Sequence, residues 1–427
     1  MSKIALERCA TARCAIETMG ALGEAHGFFG ESDRADSGEA LILADPHELW
    51  VFHILPSPDG ASAIWAAARV PDDATVVIAN DFVIQEIDFD DDENFLHSAN
   101  IRDVALDKGW WDGSESFNFF KIYGFEPKKL DPTLGLYSGR RMWRFNSLIS
   151  ASYNATADPY QGYVPSRCEA YPVFVKPDAE VSLARLLEVL GDHYEGTPFD
   201  MTRGLAAGPF HNPNRFEGHH RGERRLKGGF ERPISIYRGT YSFVLSVSDQ
   251  HPDYLGTAWY GQDQPSGSVW VPLYAGQASL AESWRWPKQS EFSLQSSWWA
   301  FNLLNNWMQL GYSKMVGDMT TAKQKLQKEA FEFHEIVRAA TKFVPSESVA
   351  VAIATEMSIK FMEYVGDEWW QLVFLMIAKY SNGLVTTGEG PGERKAPGYP
   401  DWWLQSVGYT EWPPSNPSTQ PINPPVA

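Results

Sequence analysis

Apolar residues in the first fifth of the chain fall into short runs separated by turn residues. The runs Ala40–Leu55, Ala63–Val70 and Thr75–Asn80 are rich in Val, Ile, Trp and Ala. Asp-Pro lies inside the first run, and Pro-Asp-Gly and Pro-Asp-Asp separate the three. Runs of β-branched and aromatic residues bounded by Pro, Asp and Gly are typical of strands joined by tight turns. The pattern therefore predicts an antiparallel meander.

Helical periodicity dominates elsewhere. A stripe of apolar residues ends at Gly27 and predicts a first helix: Ala5, Cys9, Ala12, Ile16 and Met19. Residues 96–108 and part of 109–124 also indicate helix, and so does Ala179–Leu190, which Gly191 closes. Residues 232–274 return to a strand pattern. Residues 291–382 predict three long helices, broken at Gly317-Asp318 and at Pro345.

This order of elements predicts an α+β protein, because strands and helices are segregated along the chain. We expect a mixed domain over residues 1–290, a helical extension over 291–385 and a Pro-rich tail over 386–427. The last seventeen residues contain six prolines, which suits an extended segment.

Composition narrows the class of protein. The chain has 427 residues, of which 44% are hydrophobic, enough for a large core. Its net charge of −18 opposes binding to a phosphate backbone, so nucleic acid is not an expected partner. Two local basic stretches are interpreted as solvated loops: Arg140, Arg141 and Arg144, and the run at 219–227. No segment has the pattern of a signal peptide or a membrane span, and the compartment stays unassigned.

Candidate metal and cofactor motifs are weak. His211, His219 and His220 lack a known ligand spacing, and the acidic run at 88–95 lacks the glycine and terminal glutamate of an EF-hand. Three scattered cysteines are too few for a disulfide framework, which fits a reducing compartment. We therefore expect no metal and no cofactor.

Five long segments of the sequence resemble, in the same order, segments of the dipeptidase A group of cysteine peptidases. These enzymes are relatives of the secernins among the N-terminal-nucleophile (Ntn) hydrolases. The five segments are LADPHELWVFHI (43–54), ARVPDDATVVIANDFVIQEID (68–88), FDMTRGLAAGPFHNPNRFEG (199–218), ERPISIYRGTYSFV (231–244) and SVWVPLYAG (268–276). The resemblance covers roughly residues 4 to 385. It implies a four-layer αββα sandwich over residues 1–290 with an added helical region, and hydrolysis of dipeptides or short peptides.

The resemblance also implies a leading cysteine, whose thiol attacks the peptide and whose free α-amino group is the base. The start of this chain matches an internal helix of the family, so we expect the nucleophile segment to be absent. On one helix, Cys9 and Cys14 would point about 140° apart, and both are interpreted as packing residues. Cys168 is interpreted as a half-buried free thiol. Ser2, exposed by removal of Met1, is a further candidate nucleophile.

Asn80 is the best candidate for a catalytic residue, because the resemblance places an oxyanion-binding asparagine at the end of this strand. An Asx turn with Asp81 is the structural alternative. Arg238 is the second candidate, since an arginine inside an apolar strand needs an anionic partner, which is either the substrate or a structural carboxylate. Arg215 and Arg232 are weaker candidates for substrate binding. Asp45 is interpreted as a turn residue.

Three hypotheses follow. The first is a cysteine-type dipeptidase, present here as the portion downstream of its nucleophile, with a dipeptide or short peptide as its partner. The second is a catalytically inactive, secernin-like relative that acts as a binding protein. The third is a hydrolase that starts at Ser2. None requires nucleic acid or a membrane, and homo-oligomerisation is left open.

Overall fold

The computed structural model describes residues 1–30, 38–124, 138–154, 171–216, 232–285, 288–390 and 392–409. The chain forms two compact units. The first consists of Met1–Arg185, Glu217–Arg232 and Val247–Gln250, and the second of Leu186–Phe216, Pro233–Ser246 and His251–Ala427. The division at residues 290 and 385 that the sequence suggests stays a prediction.

The first unit is built on a four-stranded antiparallel sheet in the order β1-β2-β3-β5. Its strands are β1 (Glu39–Ala44), β2 (Leu49–Pro56), β3 (Ala63–Arg69) and β5 (Phe95–His97). The meander predicted for the first two apolar runs is confirmed. The third run is not part of it, because β4 covers Thr75–Val76 alone and pairs with β6 (Phe174–Val175) in a separate ladder.

Two short helices, α1 (Ser2–Arg8) and α2 (Ala12–His26), cover one face of this sheet. Ile16 and Met19 of α2 share a buried cluster with Trp50, Phe52 and Trp65 of β2 and β3. Trp50 and Phe52 occupy alternate positions of β2, as the two-residue period of a strand requires. The opposite face of the sheet packs against residues of 76–123, α5 and Tyr171.

The prediction of one continuous first helix is wrong, and with it the interpretation of two cysteines. The chain is extended at Cys9 (φ −117°, ψ 136°), and α2 begins only after Thr11, whose side chain accepts a hydrogen bond from the backbone N–H of Cys14. The angular spacing of a continuous helix therefore does not apply. Cys9 and Cys14 form a disulfide, contrary to their prediction as separate packing residues.

Three more helices belong to this unit: α3 (Ile101–Asp107), α4 (Phe119–Tyr123) and α5 (Gly139–Ile149). The basic residues Arg140, Arg141 and Arg144 lie on α5, so the prediction of a solvated loop there is wrong. Arg140 is buried among them. The other basic run, at 219–227, lies outside the described residues.

Helix α6 (Leu183–Leu190) is four residues shorter at its start than the sequence suggests. The second unit contains a three-stranded antiparallel sheet in the order β7-β8-β9, with β7 at Tyr241–Ser246, β8 at Thr257–Gln262 and β9 at Val271–Tyr274. On the β9 side, the side-chain amide of Gln327 accepts from the N–H of Trp270 at 2.9 Å and donates to its carbonyl at 3.1 Å. That amide thus occupies the backbone groups just before β9.

Helices α7 (Ser297–Met308), α8 (Tyr312–Thr341) and α9 (Glu347–Lys379) share a buried cluster with Val269 and Val271. The break before α9 is confirmed: it follows Pro345, and Ser346 caps the helix through a bond from the N–H of Val349. The other predicted break is wrong, because Gly317 and Asp318 lie inside α8. The first two helices separate at Gln309–Gly311 instead. The α+β class is confirmed.

After α9 the described chain contains two short strands, β10 (Val385–Thr386) and β11 (Arg394–Lys395), and helix α10 (Asp401–Ser406). Residues 386–409 are therefore not wholly a tail. The proline-rich residues 410–427 lie outside the described part. Within the described residues, none of the helices has the length and apolar character needed to cross a bilayer.

Candidate active site

Asn80 is exposed and follows β4 by three residues of irregular chain, so it does not end a strand as the sequence suggests. Its backbone is left-handed, with φ 58°, a conformation that asparagine tolerates better than most residues. Its side-chain Oδ1 accepts a hydrogen bond from Nη2 of Arg141 at 2.6 Å. Within the described residues this is the contact that Asn80 makes, rather than an Asx turn with Asp81. Among the residues that the structure describes, its two amide N–H donors have no acceptor.

His53 of β2 anchors the chain just after Asn80. Its Nε2 accepts a hydrogen bond from the backbone N–H of Val83 at 2.9 Å, so the neutral ring carries its proton on Nδ1. The ring is fully buried and contacts Phe82 and Phe119 at centroid distances of 4.8 and 6.1 Å. Burial lowers the pKa of His53 to about 3. A neutral histidine thus fixes the position of the 80–84 segment.

Arg238 is exposed and lies in a turn, three residues before β7 begins. The prediction that it lies inside an apolar strand is wrong, because ISIY forms bends and a turn rather than a strand. The structure therefore does not require a buried partner for the guanidinium. Its proposed contact with substrate stays a prediction.

Arg215 organises its own loop. Its terminal nitrogens donate to the carbonyls of Met201 at 2.5 Å, Asn212 at 2.7 Å and Asn214 at 3.1 Å. Burial lowers the pKa of Arg215. Arg232 is partly buried outside any strand. Asn80 and Arg232 belong to the first unit and Arg215 and Arg238 to the second. Substrate binding by Arg215 and Arg232 stays a prediction.

Asp45 acts as the turn device that the sequence suggests. Its carboxylate accepts backbone N–H bonds from His47 at 2.8 Å and Glu48 at 2.9 Å, and from Ala12 at 2.7 Å. Burial raises the pKa of Asp45, but these hydrogen bonds outweigh it and the net shift is downward. The residue therefore joins the β1–β2 turn to the start of α2.

A histidine–glutamate pair in the second unit was not found from the sequence. Glu195 Oε1 lies 2.9 Å from Nδ1 of His193, and its other oxygen accepts the backbone N–H of His193 at 2.6 Å. Burial raises the pKa of Glu195, yet the hydrogen bonds and charge of His193 hold it below its ordinary value. Tyr194 between them has φ 67°, unusual for a bulky residue.

This pair has the form of a carboxylate-oriented imidazole, in which the carboxylate fixes the orientation of the ring. The Nε2 of His193 is buried and has no hydrogen-bond partner within the described part of the chain. The sequence signal was a His-x-Glu-Gly-Thr run just before the family-like segment at 199–218. Hydrophobic periodicity does not report the left-handed backbone of Tyr194, and so it gave no sign of the pair.

A second polar cluster holds the loop after β8. The carboxylate of Asp263, which has φ 63°, accepts from the side-chain amides of Asn302 at 2.9 Å and Asn305 at 2.6 Å. Burial raises the pKa of Asp263. Lys323 donates to the carbonyls of Pro265 and Ser266, and burial lowers its pKa to about 8. Both contacts are structural supports of the loop.

No group of three or more His, Cys, Asp or Glu side chains suited to a metal ion occurs in the described ranges. His211 instead has its Nδ1 2.8 Å from the carbonyl of Thr202. His219 and His220 lie in the part that the structure leaves undescribed.

Comparison with known proteins identifies the class. The family model described as Peptidase family C69 matches residues 1–325 of the 427, so the chain belongs to this peptidase family. A "Probable dipeptidase" of Salmonella dublin is 28% identical over 248 residues, which cover 58% of this chain and 49% of the relative. The chain thus spans about half the length of that relative.

Two further relatives are similar over longer stretches. A "Probable dipeptidase" of Latilactobacillus sakei is 24% identical over 379 residues, covering 87% of this chain and 70% of the relative. "Dipeptidase A" of Lactobacillus helveticus is 24% identical over 310 residues, covering 72% and 57%. The predicted resemblance to the dipeptidase A group is confirmed.

Proposed function

We propose that this chain is part of a cysteine-type dipeptidase that hydrolyses dipeptides or short peptides. Membership of Peptidase family C69 and the dipeptidase names of its relatives support this proposal. Because the chain spans about half the length of the Salmonella relative, the activity of the whole protein is part of the proposal. The mechanism invokes no metal and no cofactor.

The proposal assigns the nucleophile to a cysteine at the start of the mature enzyme. Cys9 and Cys14 offer no thiol while they are joined in a disulfide. A leading cysteine also supplies its own base, because its free α-amino group accepts the thiol proton. Attack on the peptide carbonyl gives a tetrahedral oxyanion. Its collapse breaks the C–N bond, the leaving amine takes the proton from the α-amino group, and water then hydrolyses the remaining thioester and frees the thiol.

The exposure and hydrogen bonding of Asn80 are the observation that best supports its proposed role in binding the oxyanion. Its side chain is exposed and its Oδ1 is held by Arg141, which leaves the amide N–H groups to donate. Donors fixed in advance at a developing negative charge stabilise the transition state more than the ground state. In the proposal Asn80 binds the oxyanion.

The four-layer αββα sandwich is the fold that we propose for the whole enzyme. Each unit contributes support, since each contains an antiparallel sheet with helices packed against it. The predicted sandwich is finer than the α+β class and enters here as part of the proposal.

The first test uses protein from its native source. N-terminal sequencing and intact mass would identify the leading residue, and a panel of dipeptides would be assayed with and without iodoacetamide. We expect a leading cysteine and hydrolysis that alkylation abolishes. A protein that starts at Met1 or Ser2 and hydrolyses none of the peptides would contradict the proposal and favour the inactive, secernin-like alternative.

The second test addresses Asn80 directly in the active enzyme. Asn80→Gly removes the amide but keeps a residue that accepts positive φ. We expect kcat to fall by about 10²–10³-fold, the usual cost of losing one oxyanion donor, with a smaller change in KM. Asn382→Gly is the matched control, because Asn382 is also exposed and left-handed, with φ 57°. Equal kcat values for the two variants would remove Asn80 from the mechanism.

A further inference from the structure

The side-chain amide of Asn80 has two ends of opposite hydrogen-bonding character. Its oxygen accepts hydrogen bonds, whereas its nitrogen carries the two donors that an oxyanion requires. The terminal torsion of an asparagine side chain is broad, so an exposed amide such as this one can present either end. An amide oxygen turned toward a developing oxyanion would repel it. The proposed role of Asn80 therefore depends on a contact that selects one orientation.

Arg141 makes this selection. Its Nη2 donates to Oδ1 of Asn80 at a distance of 2.6 Å. A guanidinium has donors only and stays charged in proteins, so it binds the oxygen of an amide and never the nitrogen. A charge-assisted hydrogen bond is also stronger than a neutral one, and it polarises the amide so that its N–H groups become better donors. The contact thus fixes both the orientation and the polarity of the Asn80 side chain.

The backbone on both sides of this hydrogen bond is held by one buried cluster. Ala79 and Met142 directly adjoin the two bonded residues in the sequence, and both belong to the apolar cluster on one face of the first sheet. The end of α5 is tied down as well, because Nη2 of Arg185 donates to the carbonyl of Leu148 at 2.7 Å. All of these residues lie in the first unit. The two partners are therefore held on fixed elements of the same unit.

The position of Arg141 is unfavourable for α5 itself. Arg141 is the third residue of the helix, and the first turn contains no acidic side chain. The N-terminus of a helix carries partial positive charge, so a cation in the first turn lowers the stability of the helix. Helix stability therefore gives no reason for an arginine at this position, whereas the contact with Asn80 supplies one.

We propose that Arg141 is a positioning residue for peptide hydrolysis, which acts through Asn80 rather than on the substrate. It holds Oδ1 of Asn80 so that the amide N–H groups face the carbonyl oxygen of the peptide that the thiol attacks. As this oxygen gains negative charge, it meets donors that are already oriented and polarised. The effect lowers the barrier without tightening the binding of the substrate. The inference rests on the proposed peptidase function.

A double-mutant cycle in the active, full-length enzyme tests whether Arg141 acts through Asn80. Arg141→Met keeps an extended apolar stem but removes the donors. We expect kcat to fall by about tenfold or more, a part of the 10²–10³-fold that is lost with the donor itself, while KM changes by less than roughly twofold. In an Asn80→Gly background the same change should alter kcat by less than roughly twofold, because the group it positions is already gone.

Further measurements separate positioning from a merely structural role. Arg144→Met is the matched control, because Arg144 lies one turn further along α5 while the hydrogen bond to Asn80 comes from Arg141; it should leave kcat unchanged. Arg141→Lys keeps a charged donor and should restore part of kcat. Thermal melting should show that Arg141→Met unfolds no earlier than wild type, since it removes a cation from the first turn of α5.

A dipeptide aldehyde gives a readout of the oxyanion itself. The thiol adds to the aldehyde carbonyl, the new S–C bond replaces the C=O double bond, and the oxygen of the adduct takes up the negative charge. The adduct therefore resembles the transition state, whereas the substrate does not. We expect Arg141→Met to raise the inhibition constant of the aldehyde by about the factor by which kcat falls, with KM for the dipeptide little changed.

The outcomes distinguish this inference from the proposed function. A wild-type enzyme that hydrolyses no peptide would overturn both. An active enzyme in which Asn80→Gly leaves kcat unchanged would remove Asn80 and Arg141 from the mechanism together. Three results in an active enzyme would overturn the role of Arg141 alone. They are an unchanged kcat in Arg141→Met, an equal loss with and without the amide of Asn80, and a loss that Arg144→Met reproduces or that a lower melting temperature accompanies.

Discussion

The buried ring of His53 holds the chain segment that follows Asn80, the exposed residue to which we assign oxyanion binding. The contact is local, one hydrogen bond to the N–H of Val83, yet it requires the imidazole to be neutral. A buried donor without its acceptor costs about 1–3 kcal/mol, so the 80–84 segment depends on this protonation state. The effect belongs to a single residue and is testable as a pH dependence.

We predict that His53 destabilises the fold at acid pH. Its pKa is about 3 in the folded chain and about 6.5 when unfolded, so between these values the unfolded state binds the extra proton. Its contribution is fully present above pH ~6.5 and falls by up to about 1.4 kcal/mol per pH unit below it. His53→Gln keeps an acceptor and does not titrate. Urea unfolding from neutral to acid pH should show a steeper loss for wild type, and parallel curves would refute the assignment.

For single residues, the sequence offered Asn80 as a candidate but did not predict its surroundings. The segment that contains Asn80 resembles the family. The hydrogen bond to Asn80 comes from Arg141, 61 positions further along the chain, and no local pattern predicts it. His193 and Glu195 were missed for a different reason: their pairing depends on the left-handed backbone of Tyr194 between them. Arg238 was misplaced because apolar composition suggested a strand where the chain turns.

Helix α2 illustrates how packing decides the effect of a glycine. A Cβ at Gly20 would overlap the indole of Trp65, which is held by a hydrogen bond from its Nε1 to Glu24 at 2.7 Å. We predict that Gly20→Ala lowers the free energy of unfolding, since overpacking costs about 1–3 kcal/mol and exceeds the ~1 kcal/mol that alanine gains in a helix. Chemical denaturation of the purified variant measures this.

Gly317 provides the matched control within α8, because a Cβ there meets no atom within 4 Å. Gly317→Ala should raise the free energy of unfolding by about 1 kcal/mol through helix propensity alone. The two Gly→Ala changes are therefore expected to shift the free energy of unfolding in opposite directions. Destabilisation by both would mean that the packing of α2 is not the cause.

The positions of helix breaks were partly predictable. Pro345 stops a helix by its covalent structure, and the break there is confirmed. Gly317 merely weakens a helix, so packing of the 30-residue α8 overrides it. At the start of the chain the spacing fitted one helix, but the extended backbone at Cys9 and the cap at Thr11 divide it. Capping and tertiary contacts, which periodicity does not report, made the difference.

For the molecule as a whole, the α+β class and the strand–helix order followed from hydrophobic patterning. The division into two units did not, because short segments from the middle of the sequence belong to the first unit. The pairing of β4 with β6 is another long-range contact, about 100 residues apart, that no local signal predicts. The five segments that resemble the dipeptidase A group indicated a function, which hydrophobic periodicity alone does not.

We predict one free thiol in the whole chain under non-reducing conditions. Of the three cysteines, two form the Cys9–Cys14 disulfide, and three minus two leaves one. Alkylation in denaturant followed by intact mass should add one group before reduction and three after it. Three adducts without reductant would show that the disulfide does not form, and would restore the interpretation of a reducing compartment.

The amide of Gln327 affects where the sheet of the second unit can accept a further strand. It takes both backbone groups of Trp270, the residue just before β9. Pro272 of β9 has no backbone N–H, and the N–H of Tyr274 donates to the side chain of Gln277 at 3.3 Å. An added strand would therefore find few free donors along β9, which protects this edge against aggregation by strand pairing.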